Sequence, residues 1–473
     1  MLGIYIDRSR NISIEKQIYN QLRSSIIDGE LKVGYCLPPT RQLAAELKVS
    51  RNTVVDVYDQ LVSEGFLESH QGSCTYVSEG ILRMKSTPDQ SGWEEKKSEV
   101  RAKSDIIDFM SGIPDLSIFP VRAWQKCFKA ATEYGPGNAF NYGTVFGDPE
   151  LREQIARYVY TSKGIACSPE YIMIVSGASE GFLLIAKALS AHFKEFYMED
   201  PSVDFVRDIF LNFDYAIKTI DIDQEGACIK RLTEDESKKL VFLTPSNQFP
   251  TGSILTIQRK QAVIKWAEST DSLIIEDDYD SEFRYRGIVI PPLLTMDYSR
   301  VIYVGTFSKN LSPGLRLGYL IVPPQLKEVF KKMKADLNIF SSQLEQKTLA
   351  KFIEQGSLER HIYKMKKVYQ EKQLYLIRQL RDFFGDSLGI KGNDAGMHLV
   401  VEFDHRQIHE GLEWTRASDF GVRVHPLEEF YYLKPSPDKK ARQKIIMGYG
   451  NLSLNDVKIG IERLYRFVES YRN

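Results

Sequence analysis

Gly305-Thr306-Phe307-Ser308-Lys309-Asn310-Leu311-Ser312-Pro313-Gly314-Leu315-Arg316 is the stretch on which the reading of this chain turns. The apolar run Val301-Ile302-Tyr303-Val304 before it predicts a buried strand that delivers Lys309 to a polar loop, and Arg316 follows seven residues later. A loop lysine by itself is ordinarily a solvated ammonium. In a partly desolvated pocket the neutral amine is favoured instead, and that form condenses with an aldehyde. Arg316 offers a planar fork of donors suited to a phosphate, whose orientation paired charge-assisted bonds would hold.

Working outward, Asp277 and Tyr279 follow the strand-like Leu273-Ile274-Ile275-Glu276, and residues two apart on an extended segment point to the same face. Both can therefore meet one ring: a carboxylate beside a pyridine nitrogen favours its protonated form, and a phenol beside a ring oxygen stabilises the anion. Ser176-Gly177-Ala178-Ser179 links a strand to a helix, where free amides and the Ser179 hydroxyl suit a phosphate. Singly, these residues read as a turn aspartate and an ordinary cap. From about residue 105, apolar runs at 172–175, 240–243, 273–275, 301–304 and 319–322 alternate with helical patterns at 182–189 and 262–267. That alternation predicts an α/β domain on a mostly parallel sheet with helices on both faces, and ligands in such sheets gather at the carboxyl ends of strands. Residues 330–473 read as a smaller α+β subdomain.

The first eighty residues read differently. Ile14, Ile18, Leu22, Ile26 and Ile27 recur at helical spacing; Thr40 is expected to cap a second helix and Ser50 a third, through Val54, Val55, Tyr58 and Leu61. Two short helices joined tightly make a helix-turn-helix, and alternating runs on either side of Gln71-Gly72 predict a hairpin wing. The first 80 residues hold eight Lys/Arg against ten Asp/Glu, so a DNA-binding role rests on local placement of Arg41, Lys48 and Arg51. Leu37-Pro38-Pro39-Thr40-Arg41-Gln42-Leu43-Ala44, Val49-Ser50-Arg51-Asn52-Thr53-Val54 and Gly65-Phe66-Leu67 resemble the GntR-type winged helix-turn-helix. The resemblance implies that Ser50, Arg51 and Thr53 meet double-stranded promoter DNA in the major groove, that Arg41 contacts the phosphate backbone, and that Gly72 lets the wing tip approach the minor groove.

The whole chain has 473 residues, 43% hydrophobic and 26% charged, with 62 Lys/Arg against 63 Asp/Glu, so bulk charge points to no nucleic acid or membrane partner. Five scattered cysteines suggest neither a disulfide framework nor a metal site, and a reducing cytoplasm is the expected location. No signal core or eighteen-residue apolar run predicts export or membrane insertion. Residues 79–104 lack apolar periodicity and read as a flexible linker, with ends roughly 25 to 30 Å apart if a random coil. The expected domains are therefore 1–78, a linker 79–104, and 105–473. The charged run 364–372 is expected to form the wet face of a long helix.

In the second domain, the order Asn141-Tyr142, Gly147, Leu151-Arg152, Ser176-Gly177-Ala178-Ser179, Thr244-Pro245-Ser246-Asn247-Gln248-Phe249-Pro250-Thr251-Gly252, Asp277 and Lys309 resembles fold type I enzymes dependent on pyridoxal 5'-phosphate. Joined to the first domain, the chain resembles the MocR/GabR-like regulators, whose aminotransferase-like domain senses a ligand. The resemblance implies an imine at Lys309, Asp277 at the ring nitrogen, Tyr279 at the ring oxygen, Asn247 nearby, and Arg316, Ser179, Ala178 and Thr306 around the phosphate. Tyr142 would reach the phosphate of a neighbouring subunit, which implies a homodimer. The chain departs from working aminotransferases at Ile446, where a substrate-carboxylate arginine is usual, at Phe249, where asparagine is usual, and at Val203, where a stacking aromatic is usual; Phe205 or Phe249 is the expected substitute. The expected function is a transcription regulator whose domain binds an amine, an amino acid or the cofactor itself. The alternative is an aminotransferase with an appended DNA-binding domain.

Overall fold

The computed structural model describes residues 2–9, 12–70, 74–79, 105–133, 139–233, 237–287, 290–337, 341–404, 408, 412–432 and 443–471. Gly72 and the expected linker beyond residue 79 lie outside them. The chain divides into two compact units, 1–102 and 103–473.

In the first unit, α1 (Ile14–Ile27) starts where the Ser13 hydroxyl accepts the Lys16 amide, and it buries Ile18, Leu22 and Ile26 at three-to-four-residue spacing. α2 (Thr40–Leu47) closes on Lys48 in the left-handed region, and α3 (Arg51–Ser63) follows at once. Ser50 caps α3 as expected: its Oγ accepts from the Thr53 amide at 3.1 Å. Thr40 does not cap α2. It is the first helical residue, Pro39 holds the cap position, and no side chain makes the bond. The three helices close on Leu37, Leu43, Val54, Val57, Leu61, Leu67 and Val77.

The wing pairs β1 (Leu67–Glu68) with β2 (Tyr76–Val77) antiparallel. Residues 34–37 lie along β2 as a further edge, through Gly34 N to Val77 O at 2.9 Å and Leu37 N to Thr75 O at 2.8 Å. That alignment brings together two of the cysteines whose scattered spacing suggests no disulfide framework. Cys36 and Cys74, 38 residues apart in sequence, are joined as a disulfide with Cα atoms 5.9 Å apart. Pairing of backbone segments that spacing alone does not link brought them together.

The second unit is built on β3 (Ile107–Asp108), β4 (Ile172–Val175), β5 (Glu195–Asp200), β6 (Ala216–Asp223), β7 (Gly226–Ala227), β8 (Leu240–Leu243), β9 (Leu273–Asp278), β10 (Val301–Thr306), β11 (Gly318–Ile321), β12 (Gly389–Lys391), β13 (His398–Glu402), β14 (Val422–Arg423), β15 (His425–Pro426) and β16 (Lys444–Gly448). Eight of these form one sheet in the order β4-β11-β10-β9-β8-β5-β6-β7, parallel from β10 through β6, with β11 running against both its neighbours. Unbroken apolar runs suit such strands because both faces are covered. Along β10, Val301 and Tyr303 enter the core on one face, with the helix Pro149–Lys163, while Ile302 and Val304 enter the other, with the helix Ala178–Leu189. The residue period of two sorts each strand between two cores.

The smaller subdomain packs the antiparallel sheet β12-β13-β16-β15 against the helices Ser357–Phe384 and Leu454–Glu469. It also recruits the start of the unit, since β3 pairs with β14 and Phe109 is buried in its core. The charged run on the long helix is only partly wet: Lys372 is buried, with its Nζ 2.8 Å from Asp115 and 2.7 Å from the Gly450 carbonyl. No helix among the described residues is long and apolar enough to cross a membrane.

Candidate functional site

The carboxyl ends of β4, β5, β8, β9 and β10 open on one cavity of about 520 Å³. Lys309, Asp277, Tyr279, Arg316, Ser179, Ala178 and Thr306 all line it. β10 brings Lys309 in, and its Nζ donates to the Gly112 carbonyl at 2.6 Å. Burial lowers the pKa of this amine from the usual lysine value, against the opposing pull of Asp280 and Asp277. Gly112 has a φ of +74°, and a Cβ there would stand 3.0 Å from Nζ, so glycine is what allows the lysine to lie against the backbone.

Asp277 is buried, and its Oδ1 has no hydrogen-bond partner among the described residues. Burial, reinforced by Asp278 and Glu199, pushes its carboxyl up to about 8, with Lys309 pulling the other way. One residue further, Asp278 faces the opposite side of the sheet. There it meets Lys163 Nζ at 2.8 Å, the Tyr303 hydroxyl at 2.6 Å and the Ser281 hydroxyl at 2.9 Å. Burial raises its pKa, and Lys163 together with the Tyr303 and Ser281 hydroxyls more than reverses that, so the group stays below the usual aspartate value.

The Tyr279 hydroxyl donates to the Asn247 carbonyl at 2.9 Å. Asn247 itself does not line the cavity. Its amide is committed to Asp280, 3.0 Å from each carboxylate oxygen, so it buttresses Tyr279 and Asp280 from behind. At the other end, the helix Ala178–Leu189 begins at Gly177 with no side-chain cap, leaving its first amides open. A Cβ at Gly177 would stand 3.5 Å from the Arg316 guanidinium. Arg316 is left-handed at φ 51°, a strained conformation for a non-glycine residue, and makes no ion pair among the described residues. Tyr142 is 88% exposed and outside this cavity.

Ser308 also lines the cavity, with its amide donating to the Thr306 hydroxyl at 3.1 Å; the clustered hydroxyls of Thr306-Phe307-Ser308 were its signal. Val203, Phe205 and Phe249 are all present in the wall. Met110, Met397, His398 and Phe430 carried no sequence signal, because β3, β13 and the turn after β15 belong to the other subdomain. His398 is buried with Nε2 3.0 Å from the Pro250 carbonyl, and burial lowers its pKa to about 4. Ile446 is buried against Leu427 and Tyr431 and does not line the cavity.

In the first unit, Arg41 and Arg51 are exposed at the starts of α2 and α3 and have no ion pair among the described residues. Ser50 and Thr53 are partly committed to each other, with their hydroxyl oxygens 2.8 Å apart.

Residues 14–77 match the family described as bacterial regulatory proteins, gntR family, and residues 104–449 match aminotransferase class I and II. The chain is 33% identical to the probable rhizopine catabolism regulatory protein MocR of Rhizobium meliloti, across 98% of this chain and 95% of that one. It is 29% identical to the pyridoxine biosynthesis transcriptional regulator PdxR of Corynebacterium glutamicum, across 95% of each. Among solved structures, the multiple substrate aminotransferase of Thermococcus profundus superposes with a TM-score of 0.70 at 25% identity, over 84% of this chain and 98% of that one. This chain belongs to the MocR-type regulators of the gntR family, a winged helix-turn-helix joined to a fold type I, aminotransferase class I and II domain.

Proposed function

We propose that the second unit holds pyridoxal 5'-phosphate on Lys309 and reads a small amine there, and that the outcome alters how paired first units grip promoter DNA. The boundaries we assign are 1–78 for the DNA-binding domain, 79–104 for the connection and 105–473 for the sensing domain. When bound, this cofactor supplies an aldehyde that captures primary amines and an electron-withdrawing ring. The observation that carries the reading is the unpartnered Asp277 Oδ1, buried in the same cavity as a lysine amine. A buried carboxylate oxygen without a donor is costly, and a protonated ring nitrogen is the donor it lacks. Gly177, the open amides beginning at Ala178, Ser179, Thr306, Ser308 and Arg316 make a cradle suited to a phosphate.

In this reading Lys309 is the attachment point, its lowered pKa favouring the neutral amine. Tyr279, held by Asn247, faces the ring oxygen, and Tyr142, exposed on one protomer, serves the phosphate of a second copy in a homodimer. On DNA, Arg51, Thr53 and Ser50 stand at the start of the helix that enters the major groove, and Arg41 anchors to phosphate. The relatives' names concern different small molecules, rhizopine for one and pyridoxine for another, so the effector does not transfer from either.

The test is borohydride reduction of the loaded protein, digestion and mass spectrometry, with a pyridoxyl adduct expected on Lys309 and lost in Lys309→Ala. An unmodified Lys309 overturns the reading. Titrating amines while recording cofactor absorbance and DNA retention should move both signals together. Sustained conversion of an amino donor to its keto product over many turnovers would instead favour an aminotransferase.

A further inference from the structure

Among the described residues lining the cavity, three are basic: Lys309, Arg316 and His398. If pyridoxal phosphate is held as proposed above, Lys309 is occupied by the aldehyde, and Arg316, beside Gly177 at the helix start, by the phosphate. His398 is a neutral imidazole at pH 7, because burial holds its pKa at about 4, and its Nε2 faces the Pro250 carbonyl. Beyond the cofactor's partners, and apart from Ser111, Thr244, Asp204 and Asp280, the described wall is apolar and aromatic. Phe249 stands edge-on to Phe430, His398 and Tyr279, with centroids 5.4, 5.3 and 6.3 Å apart, and Met110, Met397 and Phe205 extend the surface. Phe205 keeps 44% of its surface exposed beside this opening. The remaining acidic groups of the wall are Asp204, 2.8 Å from Arg207, and Asp280, held by Asn247.

A carboxylate brought into such a wall loses its water and gains no cation among the described residues. An amine with an apolar body brings the same ammonium as an α-amino acid but no carboxylate to dehydrate, and its body covers aromatic surface. We propose that the ligand read by this cavity is a primary amine with an apolar body and no carboxylate, and that α-amino acids are discriminated against. This inference rests on the cofactor reading of the preceding section and adds the ligand class to it.

The test uses the full chain loaded with pyridoxal phosphate and matched probes that differ at one group: phenethylamine, phenylalanine and phenylalaninamide, followed by absorbance of the bound cofactor and by thermal shift. Phenethylamine should change the spectrum at a concentration at least about tenfold lower than phenylalanine does, and the amide, which keeps bulk without charge, should track the amine. Phenylalanine acting at an equal or lower concentration overturns the inference, and so does an amide that behaves like the acid, because exclusion would then be steric. Phe205→Arg places a cation in the wall and should lower the phenylalanine requirement at least about tenfold. The wild-type comparison stands alone if that variant folds poorly. A chain that shows no cofactor band and no adduct on Lys309 overturns the proposed function and this inference together. A cofactor band with the ligand order reversed overturns the inference alone.

Discussion

Asp277 and Asp278 are chemically identical neighbours whose surroundings drive them apart. On β9 a single-residue step turns one carboxylate into a cavity with no cationic hydrogen-bond partner and the other onto Lys163 at 2.8 Å. This has a measurable consequence for the cofactor-free protein. With its folded pKa raised to about 8, Asp277 stays protonated in the folded state while the unfolded chain, with a pKa near 3.8, has already ionised. The folded state then binds more protons, and stability falls as pH rises towards 8. The buried imidazoles of His361 and His398, both lowered to about 4, act with the opposite sign and only below pH 6.5. Between pH 6.5 and 8 the decline therefore belongs to buried carboxyls, with Asp277 contributing up to about 2 kcal/mol. Urea denaturation of apo-protein at the two pH values should show this loss, and Asp277→Asn should remove its own share, the rest staying with Glu199, Glu276 and Asp280, whose carboxyls burial also raises. An equal slope in the variant would mean that the carboxyl is not held protonated.

At the scale of the element, the start of α3 carries two separable tasks. The Ser50 cap satisfies the Thr53 amide, so Ser50→Ala should cost about 1 kcal/mol of first-unit stability and lower its melting temperature. Exposed Arg51, unpaired among the described residues, supports nothing in the fold. Arg51→Ala should leave melting unchanged, weaken duplex binding and reduce the salt slope by about one counterion in a mobility-shift series. A salt slope identical to wild type would remove Arg51 from the phosphate contacts. β10 shows the same division: its apolar residues bury into two cores, and their only bearing on chemistry is to fix where the loop with Lys309 begins.

The whole molecule consists of two units with separate cores, and this predicts two unfolding transitions in calorimetry. Pyridoxal phosphate at a hundredfold excess over its dissociation constant should stabilise the larger unit by about 2.7 kcal/mol and leave the smaller one where it was. A single transition shifted as one would argue that the units unfold together. Sharing of the cavity between copies is tested by complementation. Tyr142→Ala and Lys309→Ala should each retain cofactor poorly, whereas mixed dimers should regain retention at one site of two, measured by cofactor absorbance after gel filtration.

The amino-acid sequence by itself determined the two-part organisation, the mostly parallel sheet and the lysine, aspartate, tyrosine and arginine of the cavity. Those features depend on local periodicity and on residues that lie close to strand ends in the chain. Only the tertiary structure decided that Asn247 stands behind Tyr279, that Cys36 meets Cys74, that Lys372 is buried, and that His398, Phe430 and Met110 complete the wall. Each of those facts depends on which distant segments pack together. Packing across β3, β13 and the loops of the smaller subdomain leaves no mark in the spacing of any one stretch.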